Sequence, residues 1–566
     1  MKEDITEIQV DLTGYSLYSE DLAPIPKNNR MWTSTSLAAL WVGMAVCIPT
    51  YLLASYMIKS GMNWIESLII IAIANVLITI PMILNAHAGV KFGIPFPVIA
   101  RASFGINGVH IPSILRALVA CGWFGIQTWV GGLSIHQIIQ VFSEQPDQNS
   151  MGFSMVFSFI LFWFINIYFV WKGNKSIKWL EEFSAPILII LGIALIFWGS
   201  LNANGFKNVL SHCDQLQKPT VFMEKSNSIW KVEVNSLVNA ENISKSTHYQ
   251  IKNAPNISDI EWKKMPKNGK LFFDYTEKPS NIEFRFKNDS HTSSWVNVQQ
   301  AKVSVSKSWE YIKWLTIMMG FWATMAISIS DISRYAPNQR SQIKGQFIGL
   351  PGTMFLFSFI AIFVTSASAL IFNDVMISED APWDPVTLLG KFENPWVVIF
   401  SQLFMLIATL STNIAANVIA PSNAFSNINP RKINFKKGGI ITGFLGILTC
   451  PWWLMDDISS ILIFISGLLG PILGIMLCDY FWVRKKNLDI KALFDPKGIY
   501  SYGHLGVNLR ALIAFLIGIL LALIWYVVPQ LNHFSDLSWF SGFIFAFLLY
   551  KLLMNKQFLI KNGQIS

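Results

Sequence analysis

Apolar stretches long enough to cross a bilayer recur along the whole chain, at residues 36–58, 64–86, 112–141, 153–171, 182–201, 309–332, 347–372, 397–419, 438–454, 458–482, 508–529 and 535–555. Hydrocarbon offers a backbone no hydrogen-bond partner, so each such stretch must be a helix of about 20 residues that satisfies itself. The pattern predicts an all-α polytopic membrane protein with about twelve transmembrane helices. Of the 566 residues, 52% are hydrophobic and only 14% charged, with a mean hydropathy of +0.43, which excludes a string of soluble domains.

Charge then orients the spans. Lys91 and Arg101 follow span 2, and Lys172, Lys175 and Lys178 follow span 4. Arg334, Arg340 and Lys344 follow span 6, Arg431, Lys432, Lys436 and Lys437 follow span 8, and Arg484, Lys485 and Lys486 follow span 10. The odd-numbered exits carry Glu144, Asp147, Glu379, Asp380, Asp384, Asp456, Asp457 and Asp536 instead. Basic loops stay on the cytoplasmic side, so a multi-pass protein of the cell membrane is expected, with both termini in the cytoplasm and no cleaved leader. The same rule accounts for the net charge of +9 without a nucleic-acid partner. The five cysteines form no CxxC or disulfide framework, and the eight histidines lack ligand spacing, so neither a metal centre nor a cofactor is expected. No nucleophile elbow or phosphate loop is present, and enzymatic chemistry has no support.

Residues 205–307 break the pattern. WKVEV, IEFRF and VSVS alternate as half-buried strands do, and Pro255, Pro266, Asn268-Gly269 and Pro279 punctuate them. A small all-β domain on the extracytoplasmic side is expected, with a partner unknown. The chain thus divides into 1–204 (spans 1–5), 205–307 (the insertion), 308–486 (spans 6–10) and 487–566 (spans 11–12 and tail).

Within span 8 the segment ATLSTNIAAN, Ala408–Asn417, places Thr409, Ser411, Thr412, Asn413 and Asn417 where lipid would penalise them. At about 100° per residue, Ala408, Ser411 and Thr412 share one face and Asn413 and Asn417 another. Hydroxyl and carbonyl oxygens suit a hard monovalent cation, and amides suit a planar solute with donors and acceptors; helix–helix hydrogen bonding is the plainer use. Span 3 pairs Trp123 with Gln127 four residues on, a ring and an amide aimed the same way, and span 6 adds Trp322. Gly43 and Pro49 in span 1 and Gly320 in span 6 predict interruptions near the midplane. At the cytoplasmic ends, Asp331 with Arg334, Glu181 and Glu182 with Lys178, and Asp479 with Arg484 read as gate or anchor ion pairs. Arg101, in GVKFGIPFPVIARASFG, is expected to meet a carboxylate.

Six stretches in order, NNRMWTSTSLAALWVGM, KFGIPFPVIARASFG, LVACGWFGIQTWVGG, GFWATMAISISDISRYA, STNIAANVIAPSNAFSNINPRKI and GPILGIMLCDYFWVRK, resemble the nucleobase:cation symporter-1 family, nearest its hydantoin, allantoin and uracil branch. The resemblance covers spans 1–10 and omits the insertion. It implies the leucine-transporter fold, two inverted five-helix repeats plus two helices, and alternating access with sodium, or else a proton, as the coupling ion. It also implies a solute site of Trp123, Gln127, Met318, Gly320, Phe321, Trp322, Asn413 and Asn417, with Asn413 in support. A sodium-like site would use Gly43, Val46 and Ala408 carbonyls with the Ser411 and Thr412 hydroxyls. Cys47 and Met318 stand where the family's hydantoin carrier has glutamine and phenylalanine. Two alternatives stay open: a nutrient receptor or sensor built on the transporter core, and a carrier of thiamine or another heteroaromatic vitamin.

Overall fold

A computed structural model describes the chain except residues 1–4, 7–10, 60–61, 144–151, 173, 212–219, 227–228, 236–245, 253–260, 277–281, 288–295, 298–306, 372–384, 391, 393, 455–457, 529–533 and 555–566. Its first helices are α1 (Ser34–Ala45), α2 (Ile48–Lys59), α3 (Trp64–Phe92), α4 (Phe96–Phe104), α5 (His110–Val141), α6 (Phe153–Lys172), α7 (Asn174–Asn202) and the short α8 (Phe206–Ser211). After the strands come α9 (Lys307–Phe321), α10 (Ala323–Ser328), α11 (Ser330–Ser333), α12 (Gln339–Ile371), α13 (Pro385–Gly390), α14 (Pro395–Asn417) and α15 (Ile419–Ile428). The chain continues through α16 (Phe435–Leu448), α17 (Pro451–Leu454), α18 (Ile458–Leu477), α19 (Ile490–Phe494), α20 (Leu509–Val527) and α21 (Ser538–Leu553).

Among the described residues, eight helices are long and apolar enough to cross a membrane, nine if the bent pair α1–α2 counts as one span. The expected twelve are not all matched by single long helices, because some stretches are divided into shorter pieces. Stretch 309–332 is divided among α9, α10 and α11, and stretch 438–454 between α16 and α17.

Both interruptions sit a few residues from where glycine and proline placed them. Gly43 lies inside α1, and Pro49 occupies the second position of α2, where its missing N–H is one that no helix would use. The break falls between them: Val46 has φ −79 and ψ 79, and the two halves differ in direction by 62°. Likewise Gly320 lies within α9, and the chain leaves the helix at Trp322, with φ −97 and ψ 2.

Helix α5 lies at the centre, packed on α14, α6, α15 and α16. Glycines permit that closeness: a Cβ on Gly125 would stand 2.3 Å from the Gly446 carbonyl oxygen, and one on Gly131 would strike the Phe162 ring. Helix α12 packs against α1, α2 and α3, while α18, α20 and α21 pack on one another, with α18 also meeting α9, α10 and α3. Between α18 and its loop, Cys478–Val483 is a π-helix, a distortion that persists where surrounding contacts hold it.

The insertion contains two small antiparallel sheets. One orders β1 (Thr220–Ser226), β2 (Ile229–Asn235) and β5 (Lys270–Tyr275); the other orders β4 (Lys263–Lys264), β3 (His248–Lys252), β6 (Glu283–Lys287) and β7 (Val296–Asn297). WKVEV and IEFRF are therefore strands, β2 and β6, while VSVS lies outside the described residues. Val232, Val234 and Leu271 of one sheet bury against Ile251, Phe284 and Phe286 of the other.

Candidate functional site

The breaks in α1–α2 and α9–α10 meet the middle of α5 and the end of α14 around one hollow. It is lined by Met44, Cys47, Trp123, Gln127, Phe321, Trp322, Thr324, Met325, Thr412, Ala416 and Asn417. Its water-accessible interior is about 30 Å³, room for about two water molecules. Five of the solute-site candidates, Trp123, Gln127, Phe321, Trp322 and Asn417, thus share one cavity, together with Thr412 of the cation set.

Aromatic rings frame it. Trp123 meets Phe321 edge-on at 5.9 Å, Phe321 meets Trp322 at 4.7 Å, and Trp322 is braced by Trp41 at 5.2 Å with an interplanar angle of 83°. Two lining residues carry polar atoms with no protein partner, the Gln127 Oε1 acceptor and the Trp322 Nε1 donor, both buried. A buried, unpaired polar atom costs about 1–3 kcal/mol, and such atoms are where a ligand is rewarded for binding.

Behind the hollow Asn413 organises the amides. Its Nδ2 faces Asn166 Oδ1 at 3.0 Å, Thr128 Oγ1 at 3.2 Å and the Phe124 carbonyl at 3.4 Å, and its Oδ1 accepts from Asn417 Nδ2 at 3.2 Å. Met318 and Gly320 are buried in α9 and are not among the lining residues. Residues the sequence reading missed are Met44, Thr324, Met325 and Ala416 on the lining and Asn166 and Thr128 behind it; only the two helix breaks could have singled out the lining positions.

The cation candidates fall along the contact of α1 with α14. The Thr412 hydroxyl donates to the Gly43 carbonyl at 2.8 Å and lies 3.4 Å from that of Met44. Ser184 of α7, also missed, donates to the Ser411 hydroxyl at 3.1 Å. Val46 and Ala408 line a second, apolar hollow together with Cys47, Tyr51, Phe357 and Phe404.

At the opposite end from the insertion, two expected ion pairs are absent. Arg101 is fully buried, but it donates to Asn427 Oδ1 at 2.6 and 3.1 Å and to the Leu493 and Leu17 carbonyls, not to a carboxylate. Neutral oxygens from three separate segments take its N–H groups in place of a carboxylate. Asp331 and Arg334 likewise do not pair: Asp331 Oδ1 accepts from Phe96 N at 3.0 Å and Asn423 Nδ2 at 2.9 Å, and Arg334 donates to the Asp21 carbonyl and Tyr335 hydroxyl. Asp479 and Arg484 do pair, at 2.8 Å and nearly inaccessible, with Ser103 and Tyr550 completing the carboxylate. The side chains of Glu181 and Lys178 lie outside the described residues.

The profile of a family described as permeases for cytosine/purines, uracil, thiamine and allantoin matches residues 24–232 and 290–542. The chain belongs to the nucleobase:cation symporter-1 family. Within that family it is 32% identical to the allantoin permease of Bacillus subtilis over 95% of this chain and 93% of that protein. It is 34% identical to the purine-uracil permease of Arabidopsis thaliana over 96% and 78%. Among solved structures it resembles the family transporter Mhp1 in a closed conformation with bromovinylhydantoin bound, with a TM-score of 0.68 at 23% identity over 97% of this chain and 98% of that one. A Na⁺-coupled sialic acid symporter follows the same path with a TM-score of 0.57 at 12% identity, covering 93% and 91%. These likenesses establish the symporter fold, and the family makes the chain a multi-pass membrane permease and not an enzyme.

Proposed function

We propose that this permease is a secondary active transporter that imports a small planar nitrogen heterocycle or ureide, such as allantoin, hydantoin or uracil, coupled to Na⁺ or H⁺ by alternating access. The observation that carries the reading is the hollow itself, with flat rings on its walls and an unpaired acceptor and donor among its lining residues. A cyclic ureide has flat faces for Trp123 and Trp322, an N–H for Gln127 Oε1 and a carbonyl for Trp322 Nε1. Asn417, held by Asn413, supplies a further amide. The hollow admits about two waters, so a heterocycle enters only when the rings part, as a carrier passing between open and closed forms requires.

The cation would bridge the broken first span and α14, taking the Gly43, Val46 and Ala408 carbonyls and the Ser411 and Thr412 hydroxyls. Sodium fits this all-oxygen set. Its binding energy is gained only when α1 and α14 are in register, which is how a gradient drives a second solute; coupling of about 1–3 kcal/mol is ordinary. The two five-span groups would move as inverted repeats, in the cell membrane with both termini cytoplasmic.

Uptake by proteoliposomes given labelled allantoin, hydantoin, uracil and thiamine under imposed Na⁺ or H⁺ gradients tests this. The expected result is accumulation of a ureide or pyrimidine above equilibrium under one gradient, reduced by Gln127→Leu. Thiamine as the one solute accumulated would favour a vitamin carrier, and binding without accumulation would favour a receptor.

A further inference from the structure

On the side away from the insertion the hollow is closed by a floor of buried polar groups. Arg116 of α5 donates to the Thr324 carbonyl at 2.8 Å and reaches the Ala416 carbonyl at 3.3 Å, both residues of the hollow. Beneath it, Asp331 is 1% exposed and links three separate elements: its own α11, α4 through Phe96 N, and α15 through Asn423 Nδ2.

Two atoms of this link are left over. Asp331 Oδ2 and Asn423 Oδ1 are both buried acceptors without a donor, on residues already joined through their other atoms. Arg334 and Arg116 lie close enough to act on the carboxylate through space, but neither makes an ion pair with it. The charged and titratable groups on the elements around it make their hydrogen bonds elsewhere: Arg334 with the Asp21 carbonyl, Arg116 with the Thr324 carbonyl and Ser328, Arg101 with Asn427, Lys91 with the Lys486 carbonyl and His87 with Tyr480, while Arg334 Nε and Arg116 Nη1 keep no partner. None of them stands within 4.0 Å of Asp331, and among the described residues the one buried ion pair is Asp479–Arg484. A buried carboxylate without an ion-pair partner and with one oxygen unbonded is costly, and adding a proton to that oxygen removes the charge and supplies a donor for an amide oxygen that lacks one.

We infer that Asp331 and Asn423 form a proton-binding site in the floor of the transporter, filled while the floor is closed and emptied when it opens. The proton comes from water, forms a bond to Asp331 Oδ2 and is shared with Asn423 Oδ1. Separation of α11 from α4 and α15 admits water, and the O–H bond breaks with the proton leaving to the solution on the α4 side. The emptying step rests on the alternating-access reading above; the protonation does not.

Infrared difference spectra of the purified full-length protein, in H₂O and D₂O, decide the protonation without any solute. The wild type should show a protonated carboxylic C=O band at neutral pH that shifts on deuteration, is missing in Asp331→Asn and moves in Asn423→Ala. Asn423→Ala and the wild-type isotope shift still serve should Asp331→Asn fail to fold. Spectra of wild type and Asp331→Asn that match in this region overturn the site. The emptying step is read by allantoin, hydantoin and uracil counterflow in oriented proteoliposomes as pH varies on the α4 side. The wild-type rate should follow that pH and the Asp331→Asn rate should not; the same profile in both overturns the emptying. If the wild type exchanges none of the three, the transport reading and the emptying fall together, while the infrared result stands.

Discussion

The hydroxyls of α14 do the most with the fewest atoms. Thr412 reaches across to the carbonyls where α1 ends, and Ser411 is met by Ser184 of a third helix. Replacing both by alanine removes two of five proposed oxygens, so Ser411→Ala with Thr412→Ala should flatten the sodium dependence of uptake; a sodium response of unchanged size would contradict the assigned ligands. Arg484 makes a different prediction. Its pair with Asp479 is buried, and removing one partner of such a pair strands the other at a cost of about 3–5 kcal/mol. Arg484→Leu should therefore lower the melting temperature of the purified protein clearly, whereas an unaltered melt would show that the pair is dispensable. At this scale the sequence was most informative where a side chain was out of place. Five polar residues in an apolar window announced the α14 face, but nothing marked Arg101 as a partner of amides and carbonyls, because the choice was made by the three elements that happen to surround it.

The elements show why spans are easier to find than to delimit. Long uninterrupted apolar runs became long helices, such as α3 and α12. Runs holding a break count as one span each, because hydropathy averages over the residue that leaves the helix. Gly43, Pro49 and Gly320 marked the correct spans, yet the chain breaks at Val46–Cys47 and Trp322, since proline is harmless in a first turn and glycine can stay helical when packed. Gly125 is a case where packing demands glycine. Its Cβ would intrude on the Gly446 carbonyl, so Gly125→Val should force α5 from α16 and reduce the folded, detergent-stable fraction; full recovery of folded protein would show that the helices separate cheaply.

Across the whole molecule, the insertion stands apart. Its hydrophobic cluster shares no residue with that of the helices, and the family profile omits residues 233–289. Replacing residues 212–306 by a short Gly/Ser linker should leave heterocycle binding by the helical core intact, and loss of that binding would make the sheets part of the site. Six motifs in order made the fold legible before any coordinates. The shared hollow was not legible, because it is assembled from five helices whose lining residues are spread along the chain from Met44 to Asn417. The account depends on that hollow, and equilibrium binding of labelled allantoin, hydantoin and uracil to wild type and Trp123→Ala tests it most directly. An aromatic wall and its buried area are worth about 1.5–3 kcal/mol, so affinity for whichever heterocycle the wild type binds should fall by at least about tenfold in a variant that remains folded. Equal affinity in the two proteins would contradict the account.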